Sequence, residues 1–162
     1  MKFILLIFFV AIISSCSEQV ANNKTESIDK DSLRLVLMNI DSKWSLTSLE
    51  KGYHKSRLDF AADNAIDLLD KEMPLIGKDE IIKYTATHPD SSFSIQWNPL
   101  RAEVAASGDL GCTFGGWMMK TKTEKGKDTT MYGDYITVWQ KQSDGSWKYI
   151  MDGGTATPEE VK

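Results

Sequence analysis

Few side chains in this sequence are suited to acid–base chemistry. Two histidines are present, His54 and His88. His54 with Asp63 would make an acid–base pair of the kind a dehydratase uses. The alternative is that His54, beside Lys55 and Arg57, is an exposed helix histidine and Asp63 ends that helix or caps the turn after it. His88 precedes Pro89 in a polar loop and reads as solvated. Asp134 and Asp152 are the acids whose strand positions best suit a pocket, although either can instead bond backbone at a strand end. No Cys/His cluster has zinc spacing. Gly77-Lys78-Asp79 lacks the phosphate-loop glycines, and the glycines from 108 to 116 do not follow the dinucleotide pattern. Neither metal nor cofactor is expected. Cys112, on a strand, reads as a small buried hydrophobe.

Aromatic side chains are the other chemical resource. Five tryptophans are many for a domain of this size. Trp44, Trp97, Trp117, Trp139 and Trp147, with Tyr53, Phe60, Leu69 and Tyr135, either pack a core and a subunit interface or line an apolar pocket. In the second case a few polar groups would orient a small hydrophobic ligand.

The elements that must position these residues follow from periodicity. Asp29 and Asp31 suit a helix N-cap, and Leu33, Leu37, Ile40 and Trp44 recur at helical steps toward a C-cap at Gly52. Ser45, Thr47 and Ser48 weaken that helix. A second helix is expected over His54 to Ala62, a short strand over Ala65 to Leu69, and a third helix over Lys78 to Thr85. From Phe93 the period becomes two. Strands are expected over Phe93–Ala106, with Pro99 forcing an edge position or a bulge, then Leu110–Thr123, Thr129–Gln142 and Trp147–Asp152. Helices first and an antiparallel meander afterwards define an α+β fold with the helices on one sheet face. The strands are apolar on both parities: Phe114 and Met118 against Trp117 and Met119, Ile136 and Val138 against Tyr135 and Trp139. Both faces should therefore be covered. A homodimer with Trp117 or Trp139 near its centre would cover the second.

The ends carry sorting information. Met1-Lys2 is a short positive region, and Phe3 to Ile13 is apolar but too short to span a bilayer as a helix. Ile13-Ser14-Ser15-Cys16 resembles a bacterial lipobox, with Ile where Leu is usual. The expected organisation is a lipoprotein signal peptide at 1–15, a tether lipidated at Cys16 over 16–30, one domain at 31–155 and a tail at 156–162. Such an anchor implies a bacterial cell-envelope location and a membrane contact through lipid. The net charge of −4, without a basic run, excludes a nucleic-acid footprint.

The ordered segments Phe60-Ala61-Ala62-Asp63-Asn64-Ala65, Pro74 to Ile81, Trp97-Asn98-Pro99, Ser107 to Gly111, Tyr135 to Trp139 and Asp144 to Lys148 resemble the nuclear transport factor 2-like superfamily. The local similarity is to its SnoaL-like, ketosteroid-isomerase-homologue branch, a domain of unknown function in Bacteroidota lipoproteins. That resemblance implies a cone-shaped curved antiparallel sheet packed against three N-terminal helices around a pocket. Sheet-to-sheet dimers are also implied. It places Leu69 at the general-base position of the isomerases, with Asp70 turned to the opposite face. It places the oxyanion tyrosine near Trp44 and Ser45, and a partner for the oxyanion acid at Asp134. With those groups missing, ketosteroid isomerase activity is not expected. A binding module for a small hydrophobic molecule, or a support for an envelope assembly, is the main expectation. An isomerase, cyclase or dehydratase acting on a small hydrophobic carbonyl or hydroxyl compound is the alternative.

Overall fold

The computed structural model describes residues 28–162. Cys16 and the expected signal peptide lie outside the described residues, as does nearly all of the expected tether. No helix among the described residues is long and apolar enough to cross a membrane.

Helix α1 (Lys30–Lys51) opens at the last residue of the expected tether, where the Asp29 carboxylate accepts the Ser32 N–H at 3.1 Å. It closes at Gly52, whose φ of 91° suits glycine and whose N–H reaches the Ser48 carbonyl. The buried stripe of α1 is Leu37, Asp41, Trp44, Ser45 and Ser48 rather than a purely apolar row. The serines do not weaken the element as expected. Ser45 Oγ accepts the Trp97 N–H at 2.8 Å, and Ser48 Oγ donates to the Ile95 carbonyl at 3.1 Å. These bonds satisfy backbone groups of an edge strand that would otherwise be open.

Helix α2 (Tyr53–Phe60) is shorter than expected, and β1 (Ala61–Asp67) begins at once. The expected strand over Ala65 to Leu69 is thus displaced toward the N-terminus. Then follow β2 (Leu75–Ile76), α3 (Lys78–Thr87), a 3-10 turn over Asp90–Ser92, β3 (Ser94–Val104), β4 (Leu110–Lys122), β5 (Asp128–Lys141) and β6 (Trp147–Thr157). The sheet order is β2-β1-β6-β5-β4-β3, antiparallel except for the parallel pair β1–β6. This is the expected α+β architecture, a curved open sheet closed on one face by three helices. Pro99 stands at a bulge on the edge strand β3.

Strand β6 runs past its expected end at Asp152 and takes the first residues of the expected 156–162 tail into the sheet. Gly153 and Gly154 look like a terminus but are packing devices. A Cβ on Gly154 would sit 2.2 Å from the Asp134 carbonyl oxygen, and one on Gly153 would meet Leu68.

The core lies between α1 and the inner sheet face. Trp44 is its centre, stacked on Tyr149 at 4.9 Å and on Phe60 at 5.6 Å, with Trp97 and Trp139 edge-on. Burying rings this large is the main apolar stabilisation available to so small a domain.

Candidate functional site

The inner face of β5 carries Gly133, Tyr135, Thr137 and Trp139, all buried, as alternation requires. On β6 the same alternation makes Trp147 and Tyr149 inward and would turn Met151 inward next. A bulge between the pairs Trp139↔Tyr149 and Val138↔Met151 inserts Ile150 and reverses the parity. Met151 turns outward, and Asp152 pairs with Thr137 and faces in. One inserted residue therefore brings a carboxylate into the cone.

Asp152 lies on the wall of a cavity of about 40 Å³, enough for a few waters or a small ligand's polar end. The remaining walls, completed by Ile95 and Thr137, are mainly aromatic: Trp44 and Tyr53 from the helices, Trp97, Trp117 and Tyr135 from the sheet. Glycines make room for two of them. A Cβ on Gly133 would fall 2.0 Å from the Trp117 ring, and one on Gly115 would lie 2.8 Å from the Tyr135 hydroxyl. Trp117 is then held by its Nε1–H donating to the Asp134 carbonyl at 2.9 Å.

Behind the aromatic wall sits Asp41, fully buried on α1. One of its oxygens accepts Trp97 Nε1–H at 2.7 Å and the other the Tyr135 hydroxyl at 2.8 Å. Burial raises its pKa, and the hydrogen bonds offset only part of that rise. Burial also raises both Tyr53 and Tyr135, so both phenols are neutral donors. Asp152 accepts Thr137 Oγ1–H at 2.6 Å and forms no ion pair among the described residues. Burial first, then the neighbouring charge of Asp67, pushes its carboxyl up to about 7.

Beside this cavity, α2 and β1 hold a buried ion pair. Arg57 donates to Asp67 at 2.7 Å and to His54 Nδ1 at 2.8 Å, which fixes the His54 proton on Nε2. The guanidinium also lies 5.1 Å from the centre of the Tyr53 ring and 5.5 Å from that of Tyr84. The Tyr149 hydroxyl steadies the Asp67 carboxylate without a hydrogen bond of good geometry. Asp90 caps α2 from a distance, accepting the His54 backbone N–H at 3.0 Å.

Of the four acid–base candidates, the cavity wall contains Asp152 alone. His54 is 9% exposed, not an exposed helix residue, and it serves the Arg57 pair. Burial and the adjacent guanidinium press its pKa down to about 4. Asp63 is exposed on β1, neither a helix end nor a partner of His54. Asp134 faces the other side of the sheet and accepts from Thr155 Oγ1 at 2.8 Å. His88 is exposed and stacked on Tyr84. Among the aromatic candidates, Trp44, Tyr53, Trp97, Trp117 and Tyr135 meet at the cavity. Trp139, Phe60 and Trp147 belong to the core away from it. Leu69 lies beyond the end of β1 and off the cavity; the buried carboxylate of that strand is Asp67. Asp41, Arg57 and Asp67 were not legible as site residues. The one available signal was Arg57 and Asp67 standing ten apart across a helix–strand junction, which is weak. Among the described residues no group of three acids, histidines or cysteines is arranged to hold a metal ion.

Three helices on a curved mixed sheet, with a cavity between helices and sheet, define the nuclear transport factor 2-like fold. A superfamily protein from Salmonella enterica of that name superposes with a TM-score of 0.62 at 11% identity, covering 80% of this chain and 94% of that one. A ketosteroid isomerase-like protein from Erwinia carotovora atroseptica gives 0.64 at 13% identity, covering 77% and 97%. Hexachlorocyclohexane dehydrochlorinase from Novosphingobium barchaimii gives 0.62 at 17% identity, covering 81% and 92%. No protein-family model matches the sequence, and no curated protein matches it significantly.

Proposed function

We propose that the cone cavity binds a small, mainly apolar molecule bearing one oxygen function, oriented by Asp152 and Thr137. The carrying observation is a single carboxylate turned by the β6 bulge into a mainly aromatic cavity. Aromatic walls supply affinity through buried area, and one polar group supplies orientation. Calorimetric titration of the purified protein with acetophenone should give one site per chain. Trp117→Ala and Asp152→Ala should each weaken it at least tenfold; binding unchanged in both places the site elsewhere.

Proton transfer is the second reading, favoured by the Asp152 carboxyl standing close to neutrality. Fold neighbours that include a dehydrochlorinase make such chemistry compatible with the cone. Binding remains the first reading because, among the described residues, the cavity has no second acid or histidine beside Asp152 that is free of structural work. Asp41 and Asp67 both hold the frame.

The setting we propose is a lipid-anchored dimer. Phe114 and Ile136, 42% and 50% exposed, are cross-strand partners on the outer sheet face, with Val138, Met151 and Leu100 nearby. The C-terminal segment covers only part of this face, laying Val161 over Gly116. An apolar patch of this kind favours association. At roughly 25 cal/mol per Å², several hundred Å² would be worth on the order of 10 kcal/mol before association costs. Trp117 and Trp139, the expected centre, both point inward, so the centre moves to Phe114 and Ile136. Light scattering at micromolar concentration should give a dimer mass that Ile136→Lys halves, and a stable wild-type monomer refutes it. For the anchor, Cys16→Ala should abolish processing at that residue and remove acyl mass from the N-terminal peptide. A mature unlipidated N-terminus elsewhere would show ordinary secretion instead.

A further inference from the structure

Asp67 and Asp152 are register partners in the parallel β1–β6 pair, and both side chains face the inside of the cone. Asp67 is nearly fully buried and Asp152, partly buried, lines the cavity, and two carboxylates so placed on adjacent strands cannot both ionise cheaply. Their surroundings differ in one decisive respect. Asp67 Oδ2 receives the Arg57 guanidinium at 2.7 Å, whereas Asp152 Oδ1 receives a neutral hydroxyl, Thr137. The other Asp67 oxygen, Oδ1, is buried without a hydrogen bond of good geometry, and the Tyr149 hydroxyl beside it is a neutral donor that brings no charge to the pair. We infer that Asp67 and Asp152 share one proton, with Arg57 holding the charge on Asp67 and leaving the proton on Asp152, where it faces the cavity.

The other ionisable groups around Asp152 do not change this assignment. From α1, Asp41 acts against ionisation of Asp152, and its own oxygens are occupied by Trp97 and Tyr135. From α2, Arg57 favours the charge but is spent on Asp67, and Tyr53 is a neutral phenol, as are Tyr135 on β5 and Tyr149 on β6. The raised Asp152 carboxyl, with Asp67 acting on it more strongly than Arg57, fits the same picture. Arg57 and Asp67 are then positioning residues: they touch no ligand but decide that the cavity offers a hydrogen-bond donor. Resting on the cavity as a ligand site, this implies that its oxygen function is an acceptor such as a carbonyl, and that ammonium compounds are disfavoured below neutrality.

The test is a carbon-13 titration of aspartate carboxyls in the purified protein. One resonance, absent in Asp152→Asn, should titrate near pH 7. In Asp67→Asn its proton affinity should fall at least tenfold, seen as a midpoint at clearly lower pH. Should that variant not fold, the paired replacement Arg57→Met/Asp67→Leu, which leaves no unpaired charge, should lower it as well. A wild-type midpoint below pH 5, or a midpoint unmoved in whichever variant folds, overturns the pair. Acetophenone provides the separate arm: wild type should bind it at least tenfold more weakly at pH 8.5 than at pH 5.5, and Asp152→Asn equally at both. Loss of acetophenone binding at every pH with the carboxyl titration intact supports the pair and refutes the ligand site alone.

Discussion

Arg57→Met should destabilise the protein by about 3–5 kcal/mol, the cost of leaving a buried charge without its partner. Arg57 is fully buried and Asp67 nearly so, and the guanidinium fork engages both Asp67 and His54. Removing it strands the Asp67 carboxylate among Tyr149, Asp152 and the Trp44 core, where burial already works against ionisation. The paired replacement Arg57→Met/Asp67→Leu should recover at least half the loss, because two charges leave the interior together. Lowering the pH to about 4.5 should shrink the single-variant penalty too, as Asp67 accepts a proton. Urea unfolding at pH 7.5 and 4.5 measures all three effects. A single-variant loss below 1 kcal/mol would mean that water or another cation reaches Asp67.

The same pair shows why the site was harder to read than the fold. Helix α1, α3 and the long strands are set by local patterns: caps at Asp29 and Gly52, a period of two after Phe93, turns at Gly126 and Gly145. Those patterns need no knowledge of distant residues. The site depends on what they omit. Asp41 and Ser45 sit among apolar neighbours on α1, and only their partners on β3 and β5 explain their burial. Arg57 looks like a surface residue of a short polar helix until Asp67 is brought to it. The inward turn of Asp152 comes from one extra residue on β6 relative to β5, and simple alternation mispoints it. Gly115 and Gly133 lie inside strands that the alternation runs straight through, and only their neighbours show them to be the spaces that Tyr135 and Trp117 occupy. The displacement of β1 has a related cause. Ala61 and Ala62 suit a helix by propensity, yet Ala61 joins the sheet opposite Tyr149, where a small residue lets α2 turn directly into a strand.

Asp152→Asn should stabilise the protein relative to the parent, by little near pH 4 and by about 2–4 kcal/mol at pH 7 and above. The sign follows from proton linkage. Unfolded Asp152 would titrate near 3.8, and folded it stands at about 7. Between those values the native state holds a proton that the unfolded state has released, so this group's stabilisation is complete below pH 3.8 and lost as pH rises through 7. A tenfold difference in proton affinity between the two states is worth about 1.4 kcal/mol. Asparagine mimics the protonated acid and carries no such loss. His54 works in the opposite direction: buried against Arg57, it is held near 4 instead of 6.5, so the unfolded state binds its proton first and stability rises with pH across that window. In the parent the two slopes oppose each other between pH 4 and 6.5, with the raised carboxyls of Asp41 and Asp67 acting on the same side as Asp152. Substituting Asp152 removes its slope, so the variant should gain stability relative to the parent steadily from pH 5 to 6.5. Subtracting the parent from the variant cancels His54 and isolates Asp152. Thermal unfolding at half-unit pH steps on both proteins gives that difference directly, with roughly 3–5 °C expected per kcal/mol for a domain of this size. A difference that stays constant from pH 5 to 8 would show Asp152 ionised throughout, and with it a cavity that offers an acceptor rather than a donor.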